Sequence, residues 1–81
     1  MSKFTHNLPT DKAILEVKRA LNGKVAILKD KGNELTVGAP MMTATISFKN
    51  GEVETKAALV GKVVLGTVDS CIELIDGFSK V

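Results

Sequence analysis

The sequence predicts an α+β fold: a two-layer sandwich of element order β-α-β-β-β-β-α, an antiparallel sheet with both helices on one face. Three observations predict it. Residues 34–59 alternate with period two, interrupted only at Pro40-Met41 and Asn50-Gly51, the pattern of a meander with one buried face. A segment on each side of that meander repeats its apolar residues near the helical period of 3.6. Three turn registers, derived separately, put the same side chains on the same face.

Lys3–Leu8 alternates, with Phe4, His6 and Leu8 on one side. It is a short strand stopped by Pro9, which has no amide proton for a ladder. Thr10 or Asp11 then caps a helix through a side-chain oxygen. Ala13, Ile14, Val17, Ala20 and Leu21 form its apolar stripe, and Asn22-Gly23 ends it.

Lys24–Lys31 is the next strand. With Lys31-Gly32 as a two-residue turn, Asp30 faces Asn33, Lys29 faces Glu34, Leu28 faces Leu35 and Ala26 faces Val37. This register sets Val25 and Ile27 on the polar side of an edge strand. An apolar pair there calls for self-association across the edge or for cover by the N-terminal strand.

Asn50-Gly51 is the residue pair of a type I′ hairpin, in which both residues take positive φ. It places Lys49 opposite Glu52, Phe48 opposite Val53, Ile46 opposite Thr55, Ala44 opposite Ala57 and Met42 opposite Leu59. With Pro40-Met41 as the middle turn, Val37 faces Ala44 and Leu35 faces Ile46. The result is a four-stranded sheet whose outer face carries Thr43, Thr45, Ser47, Lys49, Glu52, Glu54 and Lys56. Met41, at the turn, has no core register to fill, and its flexible thioether is read as part of a contact surface.

From Gly61 onward the period changes. Val64, Leu65, Val68, Cys71, Ile72, Ile75 and Phe78 form a stripe, giving a helix from about Lys62 to Phe78. Gly66-Thr67 offers an alternative break. The last strand then continues through Val63–Leu65, and Ser70-x-x-Glu73 is the capping box of a helix over Asp69–Phe78. A glycine inside a helix costs about 1 kcal/mol, so Gly66 is read as permitting close approach to the sheet.

Composition bounds the function. Eighty-one residues make one domain, 1–81, and a domain of this size buries only roughly 60% of its unfolded surface. Apolar residues are 44% and charged residues 25%, a globular mix. Three Phe and no Trp or Tyr leave it without the amphipathic aromatics favoured at binding hot spots. Net charge is +2 and only Lys18-Arg19 are adjacent bases, so no basic block points to nucleic acid. The polar sheet face has no aromatic on which a base could stack. One cysteine, Cys71, excludes an intramolecular disulfide and suits a reducing compartment. Met1-Ser2-Lys3-Phe4 lacks the apolar run of a signal peptide, and no apolar run approaches the roughly 20 residues that span a bilayer. The expectation is a cytoplasmic protein without integral membrane association.

No catalytic constellation emerges. Cys71 and His6 both fall on apolar faces, without an activating pattern, and are read as core residues, His6 partly exposed or satisfied. A single His and a single Cys leave no metal set. Glu52 and Glu54 sit on the polar sheet face, and Asp69, Glu73 and Asp76 on the solvent side of a helix. Gly61-Lys62 and Gly66-Thr67 lack the spacing of a phosphate loop. Catalytic residues, metal and cofactors are all read as none.

Leu59-Val60-Gly61-Lys62-Val63 follows the last strand of the meander and opens the closing helix. With the order strand, helix, meander, helix, it resembles a small version of the helix-grip arrangement of START-like lipid-binding domains. It is also similar to the small α+β domain of polyhydroxyalkanoate-system proteins. The resemblance implies an apolar ligand or an interface held between helix and sheet. A lipid-sized cavity of several hundred Å³ would take much of so small a core, at about 24 cal/mol per Å³ left unfilled.

The function expected is therefore a small non-enzymatic binding module that self-associates as a homodimer through Val25, Ile27 and Met41. The alternative is a carrier of a small apolar ligand between the last helix and the sheet, lined by Phe48, Val53, Val68 and Ile72.

Overall fold

The computed structural model describes residues 2–57 and 59–81. Its elements are β1 (Ser2–Thr5), α1 (Thr10–Leu21), β2 (Ile27–Asp30), β3 (Glu34–Ala39), β4 (Met42–Lys49), β5 (Glu52–Ala57), a 3-10 turn (Leu59–Gly61), α2 (Lys62–Glu73) and β6 (Ser79–Lys80). The strands form one open antiparallel sheet in the order β2-β3-β4-β5-β1-β6. Both helices cover the same face, packing on each other and on β4. The α+β sandwich and its element order are those of the sequence. The sheet has six strands rather than four, because β1 and β6 add to the meander beyond β5.

The inner face is built of cross-strand rows. Phe4, Val53 and Phe48 lie side by side on β1, β5 and β4. Ser2, Thr55, Ile46, Leu35 and Asp30 make the next row, and Ala57, Ala44, Val37 and Ile27 the third. Ala13, Val17 and Leu21 of α1 and Val68, Cys71 and Ile72 of α2 close over them. The β3–β4 and β4–β5 registers are those the alternation dictates. Their turns differ in detail. Only Gly51 of the Asn50-Gly51 pair takes a positive φ, so the turn is not type I′. Leu59 belongs to the 3-10 segment and not to β5, so Met42 gains no strand partner there.

The β2–β3 hairpin departs most from expectation. Asp30 pairs with Leu35 and Lys29 with Thr36, a bulge intervenes, and Ile27 pairs with Val37. The cause is local. The Asp30 carboxylate accepts the Gly32 amide at 2.8 Å, an Asx-type turn, and Lys31 N–H bonds to the Glu34 carbonyl, which widens the loop. The bulge moves Ile27 to the helix-covered side. The N-terminal strand does not cover that edge, because β1 pairs with β5 instead.

Three ends also differ. Neither Thr10 nor Asp11 caps α1: Pro9 is the N-cap, its carbonyl accepts Ala13 N–H at 2.9 Å, and Thr10 is already helical. β1 stops at Thr5, after which Leu8 N–H folds back onto His6 Nδ1 at 3.1 Å. α2 starts at Lys62, as the longer helix reading has it, but ends at Glu73. Gly77, at φ 90°, then turns the chain so that Phe78 enters the core and β6 pairs with β1.

Candidate functional site

Phe48, Val53, Val68 and Ile72 are brought together, as the carrier alternative requires. They belong to one core cluster with Phe4, Leu35 and Ile46, each at most 4% exposed. The seam under α2 is filled by these side chains.

His6 and Cys71 are not joined by a hydrogen bond. His6 is buried rather than partly exposed. It stacks on Phe78 with ring centroids 4.9 Å apart, and its Nε2 has no hydrogen-bond partner among the described residues. Asp69 is also placed differently from its reading as a solvent-side helix charge. It turns to the sheet, where Oδ2 accepts the Ser2 hydroxyl at 2.6 Å and Oδ1 the Thr55 hydroxyl at 2.7 Å. Both oxygens are thus occupied in a clamp that ties β1 and β5 to α2. Glu73 is exposed and pairs with Lys80 at 3.6 Å, and Glu52 pairs with Lys3 at 3.8 Å. On the other side of the molecule, Asp30 holds Lys18 of α1 and Gly32 N–H. Those two contacts, Lys18 first, hold its carboxyl below its ordinary value.

Val25, Ile27 and Met41 gather at one end of the sheet. Ile27 lies in the end row with Val37, Ala44 and Ala57, Gly38 N–H bonds to the Ala26 carbonyl, and Met41 is the adjoining turn, 85% exposed. Val25 is half-buried against the core. The 3-10 turn crosses the same end so tightly that a Cβ on Gly61 would lie 2.2 Å from the Thr43 carbonyl oxygen. That approach aims Val60 outward and starts α2 at this end.

An open groove lies on the outer face of α2. The groove, of about 610 Å³, runs past Val63, Gly66, Thr67, Ser70 and Leu74, with Cys71 beneath and Lys24 and Lys62 as its only charged lining residues. Val63 is 72% exposed and Leu74 86%. Gly66 does not serve close approach to the sheet: a Cβ there would meet no atom within 4 Å. Sequence reasoning missed this face because it followed the buried stripe. The available signal was that Val63 and Leu74 are apolar residues left outside that stripe.

Among the described residues no helix is long and apolar enough to cross a membrane, and no three metal-ligating side chains converge. Comparison with protein-family models, curated proteins and solved structures finds no match to this chain.

Proposed function

We propose that this chain is a small non-enzymatic interaction module that works as a homodimer. The observation that carries the reading is the outward face of α2, apolar at both ends through Val63 and Leu74 and open between them. Val63 and Leu74, both largely exposed on the side of α2 that the groove follows, are the apolar side chains that this reading assigns to a contact surface. The carboxylates of two polar clusters are engaged in structure: Asp69 accepts from Ser2 and Thr55, and Asp30 holds Lys18.

Support for dimerisation across the β2 edge is weaker. That strand has four residues, is bulged, and carries Lys29, features that discourage edge pairing. The carrier alternative would require a ligand to displace Phe48, Val53, Val68 and Ile72 from a filled seam. Sedimentation equilibrium over a wide concentration range tests the homodimer. A mass that rises toward twice the monomer supports it, and a monomer at the highest concentration overturns it. Ile27→Lys is expected to leave the association unchanged.

A further inference from the structure

The charges of α2 run against its own dipole. A helix is partially positive at its N-terminus and partially negative at its C-terminus. α1 complies, with Asp11 in its first turn and Lys18 and Arg19 in its last. α2 begins at Lys62, has no acid in its first turn and no base in its last, and ends at Glu73 with Asp76 just beyond. Glu73 has Lys80, but Lys62 and Asp76 form no ion pair among the described residues. Val63 and Leu74 stand on the same outer face, three turns apart, about 16 Å along the axis at 1.5 Å per residue.

We propose that the groove takes α2 of a second copy of this chain, antiparallel across a two-fold axis passing between Thr67 and Ser70. The inference rests on the homodimer reading above and names its interface. Reversing the helix brings Val63 of each copy onto Leu74 of the other and Thr67 onto Ser70. Gly66, with open space above it, lets the two axes approach. Lys62 and the positive end of one helix then face Asp76 and the negative end of the other, at both ends of the contact. A surface that satisfies itself under a two-fold rotation is what an isologous dimer requires. An unrelated acidic peptide would answer Lys24 and Lys62 but would leave Asp76 unanswered.

Two single-cysteine variants test the geometry: Val63→Cys and Leu74→Cys, each combined with Cys71→Ser. Disulfide bonding needs Cα atoms within about 7 Å, so positions 63 and 74 cannot join within a chain. In the proposed dimer neither position can join its own symmetry mate. Mixing the two variants under mild oxidation is expected to give a mixed disulfide that neither gives alone. A self-disulfide of either variant as the main product overturns the inference. Leu74→Lys and Lys62→Glu are each expected to weaken sedimentation dimerisation about tenfold or more, the loss of an interface anchor. Lys62→Glu combined with Asp76→Lys is expected to recover much of it. If the protein dimerises but forms no mixed disulfide and ignores Leu74→Lys, it associates elsewhere; this inference falls while the homodimer stands. A monomer throughout overturns both. A monomer whose groove binds a synthetic acidic amphipathic peptide overturns both as well, since the occupant is then a foreign helix.

Discussion

Thr55 is the polar side chain that the β4–β5 register turns into the core, opposite Ile46, and it is 0% exposed. Asp69 explains why a threonine is tolerated there, since its carboxylate takes the Thr55 hydroxyl and the Ser2 hydroxyl together. A hydrogen bond to a charged group contributes more than a neutral one, and a buried donor left alone is penalised. Asp69→Ala is therefore expected to lower stability by about 2 kcal/mol in urea titrations. Thr55→Val, which keeps the shape but takes one of the two donors from the Asp69 carboxylate, should cost less, about 1.5 kcal/mol. Equal losses would mean that the clamp does not act through Asp69. Asp30 gives a pH prediction. Its folded-state pKa is lowered by Lys18 and Gly32, so its contribution is complete above the ordinary value of 3.8 and is lost as pH falls through the lower folded value. Asp30→Asn should flatten this acid limb of the stability profile, and an unchanged limb would refute the assignment.

At the scale of elements, two glycines of the C-terminal segment have opposite roles. The 3-10 turn passes so close to Thr43 that Gly61 has no room for a methyl group. Gly61→Ala should destabilise by about 2 kcal/mol, within the range of overpacking. Gly66 lies in an open helical face, where alanine gains about 1 kcal/mol of propensity. Gly66→Ala should raise the midpoint of thermal unfolding at concentrations where the chain is monomeric, and weaken dimerisation, since the methyl group enters the proposed contact. The β2 strand shows how a side chain overrules a pattern. The sequence alternation is consistent with a tight Lys31-Gly32 turn, but the Asp30 carboxylate bonds to Gly32 N–H and moves the register.

For the whole molecule, the sheet order places β1 between β5 and β6 and leaves β2 at the far edge. The layer between sheet and helices is filled, and the groove on the outside of α2 lies apart from it. Cys71 lies beneath it, buried but lining the groove, and is the only cysteine of the chain. It is therefore a reporter for the assembled state. Alkylation of Cys71 should be slow in concentrated protein and speed up on dilution into the monomer. A rate independent of concentration, in a sample shown to dimerise, would place the interface elsewhere. Phe78, which closes the core against His6, should cost about 3–5 kcal/mol when replaced by alanine.

The sequence left the start of the last helix open between Lys62 and Asp69, which the structure places at Lys62, but by itself it determined the α+β class, the two meander registers around Ala44, Ile46 and Phe48, and the buried stripe of each helix. These follow from local periodicity and turn chemistry, which act between near neighbours in the chain. It did not determine that β1 joins β5, that residues 79–80 form a sixth strand, or that Asp69 reaches Ser2 and Thr55. Those pairings join residues far apart in sequence, and periodicity within a segment does not say which distant segment lies beside it. The outer face of α2 belongs to both. Val63 and Leu74 are plain in the sequence, but only the packing of the opposite stripe against the sheet decides that they remain outside.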